Sequence, residues 1–70
     1  DGGEDGLEFY RRISRDGQEY LKKGGILAFE IGYEQGVYVK DIMEESGYYT
    51  GFGIEKDLAG FDRCVWGSRK

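Results

Sequence analysis

Apolar positions along the chain switch between helical and extended spacing, and most of the switches fall beside glycine. Leu7, Tyr10, Ile13 and Gly17 recur at the spacing of one helix face, while Arg11, Arg12 and Arg15 fall on other faces and read as solvated. Asp5, with Glu8 three residues on, has capping-box spacing with Asp in place of Ser or Thr, which predicts a helix entered there. Tyr20 and Leu21 add a turn, Lys22-Lys23 suit the negative end of a helix, and Gly24-Gly25 stop it. Residues 26–32 form a nearly continuous apolar run, which predicts a strand buried on both faces, as in a parallel sheet covered by helices. A turn at Tyr33-Glu34-Gln35-Gly36 leads to a second helix. Its inner stripe is Val39, Ile42, Met43 and Ser46, its outer face carries Asp41, Glu44 and Glu45, and Gly47 is its C-cap. Residues 48–55 read as a strand with Tyr48, Thr50, Phe52 and Ile54 at the bulky even positions and Gly51 and Gly53 between them. After a loop, residues 62–67 form a third, antiparallel strand carrying Cys64, Val65 and Trp66. The predicted class is α/β in the order helix, strand, helix, strand, strand. A right-handed crossover joins the first two strands and a hairpin the last two. No repeat, low-complexity tract or linker divides residues 1–70, which read as one unit.

This order places candidate chemistry. In open α/β sheets, ligands gather beyond the carboxyl ends of the parallel strands. The loops 1–6, 30–36 and 57–62 should share that rim, which makes Gly2, Gly3, Asp5, Glu30, Gln35, Asp57, Asp62 and Arg63 the candidate substrate-side residues. Each has a plainer alternative. Residues 1–6 are equally a helix-entry turn with relaxed glycines. Glu30 inside an apolar strand is either a site carboxylate or a half-solvated strand end, and the second is favoured. Gln35-Gly36 either presents backbone N–H groups to a ligand or simply starts a helix. Asp57, Asp62 and Arg63 either orient a partner or form an internal Asp–Arg pair of small value.

Composition then removes whole classes of function. The chain has no His, so imidazole is unavailable as base or metal ligand. One cysteine, Cys64, permits no internal disulfide and no Cys-type zinc site, and beside an absent His it reads as a buried inert thiol. Ten Lys and Arg against fourteen Asp and Glu give a net charge of −4, which disfavours a grip on phosphate backbones, so the aromatic residues read as core rather than as base-stacking platforms. No apolar run is long enough to span a membrane, and no signal peptide opens the chain. With so little cysteine, the expectation is a soluble cytoplasmic protein. The only methionine is Met43, so the chain reads as a piece of something longer.

Three stretches carry a resemblance. Asp1-Gly2-Gly3-Glu4-Asp5-Gly6-Leu7-Glu8-Phe9-Tyr10-Arg11-Arg12-Ile13 resembles the segment after the catalytic motif of HemK/PrmC-type protein-glutamine N5-methyltransferases. Glu30-Ile31-Gly32-Tyr33-Glu34-Gln35-Gly36 is similar to that family's next strand end, and Lys56-Asp57-Leu58-Ala59-Gly60-Phe61-Asp62-Arg63 to its closing hairpin. They occur in the family's order over essentially the whole chain. The departures are Lys23, where a Pro is common, and Phe61, where a basic residue is common. The resemblance implies the C-terminal part of a Rossmann-like class I S-adenosylmethionine-dependent methyltransferase domain acting on the glutamine amide of peptide chain release factors. It also implies that the last strand lies between the other two. The family's Asn-Pro-Pro-Tyr motif cannot be present in a chain without Asn or Pro, and its Gly-rich cofactor loop belongs to an earlier strand. The expectations are therefore no catalytic and no cofactor-binding residue in this piece, no activity alone, and self-association through an exposed edge at residues 26–31. Two alternatives stay open: part of a DNA or RNA amino-methyltransferase, and a non-catalytic α/β interaction module.

Overall fold

Two helices and three strands alternate as the apolar spacing predicts, and the structure, a computed structural model, describes residues 6–70 of the chain. They are α1 (Glu8–Gly17, continued by a 3-10 turn at Gln18–Tyr20), β1 (Ile26–Glu30), α2 (Gly36–Ser46), β2 (Tyr49–Lys56) and β3 (Asp62–Arg69). The capping residue proposed at Asp5 lies outside the described residues. The helix itself begins at Glu8, with Leu7 at the cap position and no side-chain cap bond, so it starts later than the Asp5–Glu8 spacing predicts. Gly47 ends α2 at φ 86°, a left-handed value that suits glycine.

The strands form one sheet in the order β1-β3-β2, with β3 antiparallel to both neighbours. The last strand is thus central, as the family resemblance implies, and β1 and β2 run in the same direction on either side of it. Val65 is the pivot: it stands opposite Phe29 on one side and Ile54 on the other, and it is fully buried. Phe29, Ile31, Val39, Met43, Tyr49 and Val65 make the core, with Tyr10, Ile13, Leu21, Leu27, Phe52 and Ile54 packed around it. Removing each such side chain from water contributes roughly 1.5–3 kcal/mol.

Three expectations about the strands are corrected. First, β1 is not buried on both faces. Phe29 is buried toward the helices, but Ile26, Ala28 and Glu30 are exposed on the other side, and β3 is its one neighbour among the described residues. Its apolar run reflects a second face that these residues leave open rather than one that helices cover. Second, the inner residues of β2 are not all even-numbered. Tyr49 is buried, whereas Thr50 is exposed. The register slips by one residue between Thr50 and Gly53, and Gly51 sits there at φ 63°, the geometry of a bulge opened by a left-handed glycine. The bulge puts Tyr49 on the same face as Phe52 and Ile54, which strict alternation forbids. Third, β1 stops at Glu30 and β3 continues to Arg69, two residues beyond the expected end.

Helix α1 also holds a position that the stripe missed. Ser14 is fully buried, and its backbone carbonyl accepts a 2.7 Å hydrogen bond from the Tyr49 hydroxyl. Burial pushes the Tyr49 phenol up from its ordinary pKa, so it remains a donor there. In α2, Val39, Ile42 and Met43 are buried and Ser46 is half-buried, as the stripe predicts.

Candidate functional site

The carboxyl end of β1, the start of α2 and the β2–β3 hairpin converge at one end of the sheet. Ile31 N–H donates to the Arg63 carbonyl at 3.0 Å, which carries the β1–β3 ladder past the strand end into the rim. The Tyr33 and Phe61 rings meet at 5.2 Å between centroids, so the two loops touch through their aromatic residues. A Cβ on Gly36 would fall 2.7 Å from the Asp62 carboxylate, so α2 begins hard against the hairpin. Two of the three loops expected to share this edge therefore do.

The candidate side chains within it mostly bond to one another. Asp57 accepts from the Ala59 and Phe61 N–H groups at 2.9 and 3.0 Å and from Arg63 Nε at 2.8 Å. The Arg63 guanidinium, followed by the Phe61 amide, holds the Asp57 carboxyl below its usual pKa. Asp62 pairs with Lys56. Asp57, Asp62 and Arg63 are thus spent within the hairpin, which is the plainer of the two readings of these residues. Glu30 is exposed at the end of β1, the half-solvated position and not a buried carboxylate. Gly2, Gly3 and Asp5 lie outside the described residues.

Gln35 is the exception, because its side chain leaves its own segment. It occupies the cap position of α2, and its Oε1 accepts from Gly32 N–H at 3.0 Å and from the Tyr10 hydroxyl at 3.2 Å. Leu7, Arg11, Glu34, Gln35 and Tyr38 border an open groove of about 530 Å³ at this junction. At the strand-to-helix turn, the Gly32 N–H is thus taken up by the Gln35 side chain. No reaction step is assigned to these residues.

The opposite end of the sheet carries a constellation with no signal in spacing or composition. Arg69 donates to the Gln18 carbonyl at 3.1 Å and the Gln18 side-chain oxygen at 2.6 Å, and its guanidinium lies 5.5 Å from the Tyr48 ring centre. Gly24 N–H and the Gly25 carbonyl bond to the Arg69 backbone at 2.7 Å each. A terminal Arg joined to a residue 51 positions earlier is visible only in three dimensions.

Among curated proteins, the chain is similar to methyltransferases. They are release factor glutamine methyltransferases: one from Aquifex aeolicus is 44% identical over 68 residues, 97% of this chain and 24% of the relative. One from Clostridium acetobutylicum is 45% identical over 91% of the chain and 22% of the relative, and one from Moorella thermoacetica is 43% identical over the whole chain and 25% of the relative. The resemblance carried by three motifs thus extends through every element, at 43–45% identity to proteins of that name. The chain spans about a quarter of the length of these relatives. No family model and no solved structure matches it. Among the described residues, no helix is long and apolar enough to cross a membrane.

Proposed function

We propose that this chain is the C-terminal portion of the catalytic domain of a methyltransferase that carries a methyl group from S-adenosylmethionine to the glutamine side-chain amide of a peptide chain release factor in the cytoplasm. The observation that carries the reading is identity of 43–45% across nearly all of the chain to proteins of that name. The central antiparallel last strand is compatible with the closing part of a Rossmann-like class I sheet. In this reading, the cofactor and the reacting amide are held by polypeptide that precedes the chain. Its own residues build one wall of the rim: Glu30, Gln35, Asp57, Asp62 and Arg63, with Gly2, Gly3 and Asp5 leading into it. Catalysis of this kind is mainly alignment of a poorly nucleophilic amide nitrogen with the methyl carbon.

The test is methyl transfer by the full-length parent, with labelled S-adenosylmethionine and a purified release factor. Label is expected on the release factor, to be lost when the accepting glutamine is replaced by alanine. The isolated 70-residue chain is expected to transfer none. Label moved by the isolated chain, or a parent that labels nucleic acid instead, would overturn the proposal.

A further inference from the structure

The side chain of Gln35 makes a connection that neither the turn nor the helix needs. The turn leaving β1 is already closed by the Gln35 N–H donating to the Gly32 carbonyl at 2.9 Å, and α2 is entered by the Val39 N–H donating to the Gln35 carbonyl at 2.9 Å. Over and above these, Oε1 takes the Gly32 N–H and the Tyr10 hydroxyl together, which joins the exit of β1 to a residue 25 positions earlier in α1. Tyr10 is aimed at that point by packing. Its ring stands edge-on to Phe29 at 5.1 Å and to Phe9 at 5.5 Å, so the hydroxyl is delivered to a fixed place. With Oε1 committed to both donors, the amide has one orientation. The groove bordered by Leu7, Arg11, Glu34, Gln35 and Tyr38 lies across the same junction.

We infer that Gln35 is a positioning residue of the parent methyltransferase: by bonding Gly32 and Tyr10 together, it sets where the first turn of α1, and the polypeptide leading into it, lies against the carboxyl end of β1. The inference rests on the function proposed above, in which the groups that hold the reacting amide come from the polypeptide ahead of α1. In that reading Gln35 is not itself one of those groups; its side-chain oxygen bonds Gly32 and Tyr10. It acts through Tyr10 and the helix that Tyr10 anchors. A misplacement of about 1 Å in such a site can cost on the order of 100-fold in rate, so a link outside the core can matter more to turnover than to stability.

The experiment uses the full-length enzyme and three variants. Gln35→Met keeps the side-chain length and removes the acceptor, Gln35→Glu keeps an acceptor oxygen, and Tyr10→Phe keeps the ring and removes one donor. Gln35→Met is expected to lower kcat by ~10- to 100-fold with the KM for S-adenosylmethionine unchanged, and to speed hydrogen exchange at the Gly32 amide. Tyr10→Phe is expected to lower kcat less, and Gln35→Glu to restore most of it. Wild-type kcat in Gln35→Met, equal losses in the Met and Glu variants, a loss confined to KM, or unchanged exchange at Gly32 would each overturn the inference while the proposed function stands. If Gln35→Met does not fold, wild-type kcat in Tyr10→Phe overturns it and a lowered kcat supports it. A wild-type parent that leaves the release factor unlabelled removes the proposed function instead, and the inference with it.

Discussion

On the helix-covered face of the sheet, Phe29, Val65 and Tyr49 lie buried under Val39 and Met43, and the Tyr49 hydroxyl has a partner in the Ser14 carbonyl. On the opposite face the same strands present Ile26, 53% exposed, beside exposed Ala28 and half-buried Trp66, with the indole N–H donating to Glu55 at 3.2 Å. Both faces are rich in apolar side chains, and among the described residues only one has a layer packed on it. An apolar strand therefore records that both of its faces meet something, but not whether these 70 residues supply it. Trp66 makes the distinction sharper. It lies so close over Gly53 that a Cβ there would overlap the indole, so the open face is closely built although nothing described covers it.

The largest expected difference between the faces is in stability. Met43→Ala removes a fully buried side chain and should cost about 2–5 kcal/mol, enough to threaten a chain of this size. Ile26→Ser, on the open face, should stay within about 0.5 kcal/mol. Urea denaturation of the two variants measures the contrast, and equal losses would mean that Ile26 is covered in solution. Next comes Gly53→Ala, which tests whether the open face is ordered. Displacing the indole should cost about 1–3 kcal/mol and shift the tryptophan fluorescence, whereas a mobile Trp66 would absorb the methyl group at little cost. Tyr49→Phe on the covered face leaves the Ser14 carbonyl without its partner, and the same denaturation should show a loss of about 1–2 kcal/mol with packing otherwise intact.

The smallest effect is expected at the hairpin, beyond both faces. Asp57 is held below its ordinary carboxyl pKa of 3.8, chiefly by the Arg63 guanidinium, so the folded hairpin favours its charged form. Its contribution is then complete above that ordinary value and is lost as the pH falls through the lower folded one. Amide exchange at Ala59 and Phe61 should accelerate in that acid range, and Asp57→Asn should flatten the dependence.

Much of this architecture is legible along the chain, because helical stripes and glycine stops are local. Val39, Ile42 and Met43 mark the inner face of α2 by spacing alone, and Gly47 marks its end. The bulge at Gly51 was not legible as a change of face, because alternation assumes an unbroken ladder and a glycine says only that the backbone is free to depart from it. Trp66 over Gly53 was hidden for a related reason: the need for a missing Cβ comes from a side chain on another strand. At the rim, Gln35 and the hairpin acids could be placed at one edge from topology, but their partners could not. That the Gln35 oxygen would find Tyr10, or Arg69 find Gln18, depends on contacts across 25 and 51 residues of chain. A tyrosine within an apolar helix stripe was the one usable hint, since a half-buried phenol needs an acceptor.

The position of β3 bears on how the chain is assembled. During synthesis, β1 and β2 leave the ribosome before β3, and among the described residues they share no hydrogen-bonded contact with each other. Among the described strands neither has a ladder partner until residues 62–69 emerge, so the edges of β1 and β2 that β3 later fills stay unsealed for an interval, when a chaperone or a neighbouring nascent chain competes for them.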